Sequence, residues 1–310
     1  MSKNKSGFLP RLGKNIVENP LLYILVLPGV IYYLIFNYVP MYGIQIAFKD
    51  FTMGKGIFNS KWIGFEHFRV LFGSSQFASI FSNSIILSLY RLFWGFPTPI
   101  ILSIILSECM NNKVRKISQT IIYLPHFLSW VVVCGIVTIF LSPTAEGPIN
   151  YVITSLGGKP INFMMQAKYF RTIIVVSEIW KEAGWGTIVY LAAISTIDPT
   201  YYEAAIIDGA NRMRQIWHIT LPSIRSTMVV LLILRMGGIM GNSFEQVFLL
   251  QNALTYTVSD IIETFTYRVG LREGRHGFAA AVGLFQSVIG MIMIVLTNTI
   301  AKRVQGSGLW

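Results

Sequence analysis

Tyr202-Glu203-Ala204-Ala205-Ile206-Ile207-Asp208-Gly209-Ala210, closed by Ile219-Thr220-Leu221-Pro222, is a short polar stretch lodged between long apolar segments. The surrounding chain reads as membrane, so a compact loop with this much pattern reads as a surface that meets something soluble. Two helix starts fit it. Asp198 offers an N-cap with Pro199 at the first helical position, while Thr200 to Glu203 has capping-box spacing two residues later. Either start carries a helix to about Asp208, where Gly209 supplies a chain reversal or a close approach that a side chain would obstruct. Ala204, Ala205 and Ala210 present small surfaces that let a backbone enter a narrow cleft, and Glu203 and Asp208 put charge at its rim. Arg212 and Arg214 follow on a second short helix that ends by Pro222.

Composition sets the class around this loop. The chain is 53% hydrophobic and 13% charged, with a mean hydropathy of +0.57, against roughly 25% charged residues in soluble domains. A bilayer core needs about 20 apolar residues as a helix. Six stretches qualify: Leu21–Tyr38, Phe77–Leu106, Ile117–Leu141, Phe170–Ile194, Thr227–Phe248 and Phe278–Ala301. The sequence therefore predicts an all-α polytopic membrane protein. Pro97 and Pro99 are expected to kink the second span. The domain reads as 21–304 with the loop at 198–222, flanked by an N-terminal segment 1–20 and a tail 305–310.

The net charge of +11 does not indicate nucleic acid, because the basic residues sit at the ends of apolar spans, where such charge orients helices. Six spans place both termini on one side. With the termini inside, twelve basic residues face the cytoplasm and ten the outside. The shorter inner loops and the dense Lys113-Val114-Arg115-Lys116 cluster favour cytoplasmic termini, and the Glu203 loop then faces the cytoplasm too. Leu21–Tyr38 is too long for a signal core and lacks a small-x-small cleavage site. Cys109 and Cys134 lie in or beside apolar segments and suggest no disulfide framework. The outer stretch Trp62 to Phe72 mixes aromatics with charges, as segments at headgroup level do.

The Glu-Ala-Ala, Asp-Gly-Ala and Leu-Pro pattern resembles the EAA loop of ABC importer permeases, in which a pair of short helices docks on a cytoplasmic ATPase. Pro40 to Asp50, Trp62 to Phe68 and Trp180-Lys181-Glu182-Ala183-Gly184-Trp185 are similar to the carbohydrate-uptake (maltose-type) permeases, and within them to the LplB-type subgroup linked to complex oligosaccharides. The resemblance covers most of Leu21 to Trp310. It implies a type I ABC importer permease fold in a bacterial cell membrane, with Glu203, Ala204, Ala205, Asp208, Gly209 and Ala210 carrying the coupling. It also implies a heterodimer with a second homologous permease, two ATPase subunits that hold ATP and Mg²⁺, an extracytoplasmic solute-binding protein and an oligosaccharide substrate. The chain itself would hold no cofactor and hydrolyse nothing. Unlike the maltose-type permease, it is expected to carry no extra N-terminal spans and no large external domain.

Arg91, Glu178, Lys181, Glu182, Arg235 and Glu245 fall inside expected spans. A charge at mid-membrane costs roughly 2.5–3.5 kcal/mol on insertion scales, so it faces a partner or a cavity. Glu178 and Lys181 are three apart on one helix, close enough to pair, with Glu182 and Trp185 on the same face. Two readings stay open: the charges satisfy one another and lock helices together, or they line a polar path in which tryptophan stacks on sugar faces. By offset from Glu203, the resemblance assigns substrate contact to Glu178, Lys181, Glu182 and Trp185, to Arg235 and Asn242 after the loop, and to Trp130 on an earlier span. Lys181 and Arg235 suit an acidic saccharide. Gly237 and Gly241 form a G-x-x-x-G pair, read as close helix packing or as a hinge.

Other chemistries lack their motifs. Gly7 to Lys14 has the wrong glycine spacing for a phosphate loop, and Asn15 stands where Ser or Thr is required. His67, His126, His218 and His276 are scattered without metal-ligand spacing, and no G-x-S-x-G elbow occurs. An ion-coupled secondary transporter is the competing class, since charges in spans also relay protons.

Overall fold

The computed structural model describes residues 18–144, 147–241 and 244–305. The N-terminal basic cluster and Asn242 lie outside the described residues. Helix α1 (Pro20–Tyr33) runs on through a π-turn at Leu34–Tyr38 and ends in a 3-10 stretch, Tyr42–Phe48, to form one 29-residue apolar element. No residue of α1 is buried by the rest of the chain. The chain then leaves the all-helical pattern expected of it. Strands β1 (Lys49–Asp50) and β2 (Lys61–Trp62) pair antiparallel, Lys49 opposite Trp62. Phe48 stacks on Trp62 at 5.8 Å and meets Phe65 edge-on at 5.3 Å, just before α2 (Glu66–Gly73).

Helices α3 (Ser75–Gly95) and α4 (Pro97–Ser107) make one 33-residue span with a single turn residue, Phe96, between them. Proline lacks an N–H and fits the first turn of a helix, so Pro97 begins α4 rather than breaking it. Helix α5 (Asn112–Tyr123) is capped by Asn111, whose side chain accepts from the Lys113 and Val114 amides. A 3-10 turn, Leu124–Phe127, leads to α6 (Trp130–Phe140), capped by Ser129 accepting from the Val132 amide. The expected span Ile117–Leu141 is therefore two helices bent by 107°. Pro125 offers no donor there, and the Ser129 cap restarts the ladder in a new direction.

Helix α7 (Ala167–Ser195) is 29 residues long. Helix α8 (Pro199–Ile207) and the short α9 (Arg212–Gln215) form the loop. A π-turn, Ile216–Thr220, and the turn Leu221–Ser223 lead to α10 (Arg225–Gly237), bent by 60° from the segment before it. The expected span Thr227–Phe248 is also not continuous. α10 ends at Gly237, Gly238–Gly241 is a turn, and α11 (Phe244–Leu250) follows. Close packing accounts for part of this: a Cβ at Gly237 would lie 2.6 Å from Ile294 Cδ1, and one at Gly290 would lie 2.8 Å from the Gly237 carbonyl oxygen. Helices α12 (Ile262–Tyr267) and α13 (His276–Gln305) complete the chain.

Among the described residues three helices are long and apolar enough to cross a membrane, or up to five if each bent pair is one span. Three apolar clusters hold them together. One joins Leu71, Ile80, Ile262 and Val282; a second joins Leu87, Cys134, Ile174 and Val247; the third, next to the loop, joins Ile100, Tyr190 and Ile224.

Candidate functional site

The charges on α7 meet neighbours that the helix surface alone does not announce. Glu178, three residues from Lys181, turns away from it: Arg91 Nε on α3 donates to Glu178 Oε2, and Arg235 Nη2 on α10 lies 3.4 Å from Glu178 Oε1. Arg235 Nη2 also donates to the Arg91 carbonyl at 2.9 Å. Lys181 Nζ donates to Glu182 Oε1 at 2.8 Å and to the His126 carbonyl at 3.0 Å, and it sits 5.3 Å from the Trp130 ring centre. His126 Nδ1 is 2.9 Å from Glu182 Oε2, and its ring stacks on Trp185 at 4.9 Å. Three helices and the turn at Pro125 thus converge on one polar network. This is the arrangement that makes buried charge tolerable, since each ion has a partner and further hydrogen bonds.

Above this network lies a cavity of about 410 Å³, lined by Ser88, Arg91, Trp130, Glu178, Glu182, Arg235 and the turn residues Gly238, Ile239 and Gly241. Of the residues assigned by resemblance, Trp130, Glu178, Glu182 and Arg235 are brought together here; Lys181 is buried beneath, and Trp185 faces away from this cavity against His126. The side chains of Glu178 and Lys181 are consumed by their ion pairs at 9% and 8% exposure, whereas Arg235 and Glu182 keep 33% and 38%. Arg235 and Glu182 are the charges with room to reach a solute. The cluster holds three cations (Arg91, Lys181, Arg235) against two carboxylates (Glu178, Glu182).

The backbone of the turn is held in place from both sides. Ser88 Oγ donates to the Ile239 carbonyl, and Gln286 Nε2 donates to the Met240 carbonyl at 2.7 Å. Non-helical backbone at membrane depth requires such partners or a wet cavity.

At the far end of α7 the loop forms a rigid knob. Asp198 is the N-cap, its carboxylate accepting from the Thr200 amide at 2.9 Å, and this bond holds its pKa below the ordinary carboxylate value. The earlier of the two possible starts is the one used. At the other end Gly209 has φ +74°, the Ala210 amide donates to the Ala205 carbonyl at 2.8 Å, and the Gly209 amide donates to the Ile206 carbonyl at 3.0 Å. That is a Schellman ending, which needs the left-handed residue that glycine supplies. No atom lies within 4 Å of a Cβ built on Gly209, so chain reversal rather than tight packing explains this residue. Tyr202 Oη pairs with Thr220 Oγ1 at 2.9 Å, and Arg212 donates to Glu108 at 2.9 Å. Glu203, Ala204, Asp208 and Gly209 are exposed, while Ala205 and Ala210 are half-buried. Beside them Tyr201, Ile206 and Ile207 are 61%, 64% and 86% exposed.

A profile of the family described as binding-protein-dependent transport system inner membrane component matches residues 70–306. The chain belongs to this family. The permease is 46% identical over 289 residues to Protein LplB of Bacillus subtilis (strain 168), covering 93% of this chain and 91% of the relative. It is 43% identical over 300 residues to the polygalacturonan/rhamnogalacturonan transport system permease protein YteP of the same organism, covering 97% and 93%. A chain in the crystal structure of a bacterial alginate ABC transporter, in complex with an alginate pentasaccharide-bound periplasmic protein, superposes with a TM-score of 0.88 at 42% identity, covering 96% of this chain and all (100%) of that one. The permease is thus a multi-pass inner-membrane component of an ABC importer with the helical type I fold, not an enzyme.

Sequence reading missed His126 and Ser88 as parts of the permease's polar network. The signal available for His126 was Pro125, which marks the break that turns the ring toward α7. Ser88 carried no signal, because its role depends on where α10 ends.

Proposed function

We propose that the permease is one half of the transmembrane part of an ATP-driven importer for an acidic oligosaccharide released from a polysaccharide. A second homologous permease completes the pathway, a binding protein delivers the sugar from outside, and two cytoplasmic ATPase subunits carry ATP and Mg²⁺. The relatives that transport polygalacturonan or rhamnogalacturonan and alginate support the substrate class. Arg235, the cation that keeps room in the cavity, supports its charge.

Both termini lie in the cytoplasm and six spans cross the bilayer, α7 being the fourth in chain order. At about 1.5 Å per residue, its 29 residues exceed the hydrocarbon thickness of about 30 Å. Its charges turn inward to α3, α10 and the Pro125 turn rather than to lipid.

The observation that carries the reading is the knob: a helix fixed by Asp198 at one end and Gly209 at the other, with exposed apolar side chains beside its acidic residues. Closure of the ATPase pair on ATP moves α8 and α9 as a lever, and the Tyr202–Thr220 pair of α8 and the Arg212–Glu108 pair of α9 pass that motion toward α10 and α4. The spans then open outward to receive sugar, and hydrolysis returns them inward. Within the cavity Trp130 offers a ring for sugar faces, while Arg235 and Glu182 offer charge to carboxylates and hydroxyls.

Reconstituted vesicles holding both permeases and both ATPases test this. Uptake of an acidic oligosaccharide should require ATP and the binding protein. Uptake driven by an ion gradient without the ATPases would assign the chain to secondary transport instead.

A further inference from the structure

Nearer the root of the knob lies a second cavity, of about 660 Å³. Ser107 on α4, Arg115, Lys116, Gln119 and Tyr123 on α5, and Ser195 at the end of α7 give it a polar lining, completed by apolar side chains from the last turns of α7. No carboxylate lines it. Arg115 donates to the neutral Asn112 Oδ1 at 2.8 Å, and neither Arg115 nor Lys116 enters an ion pair among the described residues. Two cations therefore border a roomy cleft that holds no opposite charge.

Two rows of side chains run from the first cavity to this one. On α7, Glu182, Trp185, Ile188, Ala192 and Ser195 follow at spacings of three, three, four and three residues, which keeps them on one side of the helix. Glu182 lines the first cavity; Ile188, Ala192 and Ser195 line the second. On α5, Lys116, Gln119 and Tyr123 are three and four apart, and His126 comes three residues later in the 3-10 turn. Gly184 brings the two elements together, since a Cβ there would lie 3.0 Å from Tyr123 Cα. Between the cavities stand His126 and Trp185, stacked at 4.9 Å, with His126 also bonded to Glu182. The exposed apolar residues of α5, Val114, Ile117, Ile121 and Leu124, lie on the opposite face of that helix. A helix that turns its polar face inward and its apolar face outward is arranged as membrane helices are beside a wet path, where ionisable groups mark the route of a solute.

We propose that the second cavity is a further binding site for the acidic saccharide, on the cytoplasmic leg of its path, where Arg115 and Lys116 take a uronate carboxylate once it has passed the His126–Trp185 stack. The proposal rests on the import of an acidic oligosaccharide argued above. An inorganic anion would answer the two cations but leave most of the room and the hydroxyl and amide groups of Tyr123, Gln119 and Ser195 without a partner. The volume falls in the range of about 300–1,000 Å³ that suits organic ligands. A ligand that carries carboxylates and hydroxyls together answers the charge, the polar lining and the volume. Placed at the base of α7, three residues before Asp198, the site lies where movement of the knob would reach it.

The test is thiol labelling of the assembled transporter in detergent, with Ser195→Cys in a Cys109→Ser, Cys134→Ala background. The negatively charged sulfonatoethyl methanethiosulfonate should react faster than its trimethylammonium counterpart, and a galacturonate oligosaccharide should slow the reaction. The same oligosaccharide with its carboxylates reduced to alcohols should not. Arg115→Gln with Lys116→Gln should abolish the reagent preference and raise the half-protecting concentration about tenfold, the worth of one hydrogen bond to a charged group. The swap Arg115→Lys with Lys116→Arg should retain protection, and Ser223→Cys, beyond the knob, should be labelled at one rate with or without the saccharide. Absence of protection, equal protection by the reduced oligosaccharide, undiminished protection in the Gln variant, or equal protection by inorganic phosphate (an adventitious anion only) would each overturn the proposal. ATP-driven uptake is measured separately: its persistence without protection strikes this site alone, whereas uptake without ATP strikes the importer reading.

Discussion

Gly184 sits where α7 meets the main chain that ends α5. A methyl group on it would strike the Ile122 carbonyl oxygen and come within 2.8 Å of the Ile122 carbonyl carbon and 3.0 Å of Tyr123 Cα. All three are backbone atoms, so no side chain can swing aside and the helices themselves must part. Overpacking of this kind costs about 1–3 kcal/mol, offset by up to about 1 kcal/mol that alanine gains over glycine inside a helix. With only main chain to yield, the upper end of that cost applies, and the net for Gly184→Ala is a loss of about 2 kcal/mol. Gly135 on α6 is the control, because nothing lies within 4 Å of a Cβ there and only the helix gain remains. At about 2–4 °C per kcal/mol for chains of this order, Gly184→Ala should melt about 4–8 °C lower in detergent, while Gly135→Ala melts at or above the parent. Parting the helices also moves His126 away from Glu182 and Trp185, so uptake should fall with Gly184→Ala alone. If both variants melt at the parental temperature, α7 does not ride on the main chain that ends α5 and the reasoning fails.

Other outcomes follow from the same geometry. Glu178→Gln removes the buried carboxylate that Arg91 and Arg235 share, a loss of about 3–5 kcal/mol; adding Arg91→Met should restore part of it, and a melting temperature equal to the parent's would mean the pair is not buried as described. Gly209→Val forces a β-branched residue into φ +74° and should leave the permease in the membrane while the ATPases no longer co-purify, whereas Gly209→Asn, tolerated in that region, should retain them; unchanged co-purification with valine refutes the coupling role. Arg235→Ala should slow uptake of an acidic oligosaccharide more than of a neutral one, and equal rates on both would remove Arg235 from the path. The Asp198 cap is lost only as pH falls through a pKa already below the ordinary carboxylate range, since a depressed folded-state pKa stabilises above the unfolded value. ATPase association should therefore not weaken between neutral and mildly acidic pH through this residue, and Asp198→Asn, also a good cap, should preserve it.

Much of the architecture could be read locally, because long apolar runs and capping residues are local signals. Asp198, Pro199 and Gly209 fix α8 with neighbours no more than five residues away, and the sequence reading of that helix holds to its ends. What could not be read depends on contacts between distant segments. The i,i+3 rule pairs Glu178 with Lys181, yet two guanidinium groups on α3 and α10 capture Glu178, and Lys181 turns to Glu182 and a backbone carbonyl. The break after Gly237 is likewise invisible in hydropathy, since Ile239 and Met240 read as apolar while their carbonyls are held by Ser88 and Gln286. The ribbon of β1 and β2 is too short to leave any periodicity.

The early end of α10 bears on how the protein enters the bilayer at all. Its 13 residues make a rod about 20 Å long, against a hydrocarbon layer of about 30 Å, and Arg235 sits near its tip. Such a segment partitions poorly when presented alone to the insertion machinery. Its tight neighbour, the 30-residue α13 that backs Gly290 onto the Gly237 carbonyl, is synthesised afterwards. Biogenesis of this region therefore concludes from the C-terminal side: the later helix is the dock against which the earlier, shorter one is finally seated.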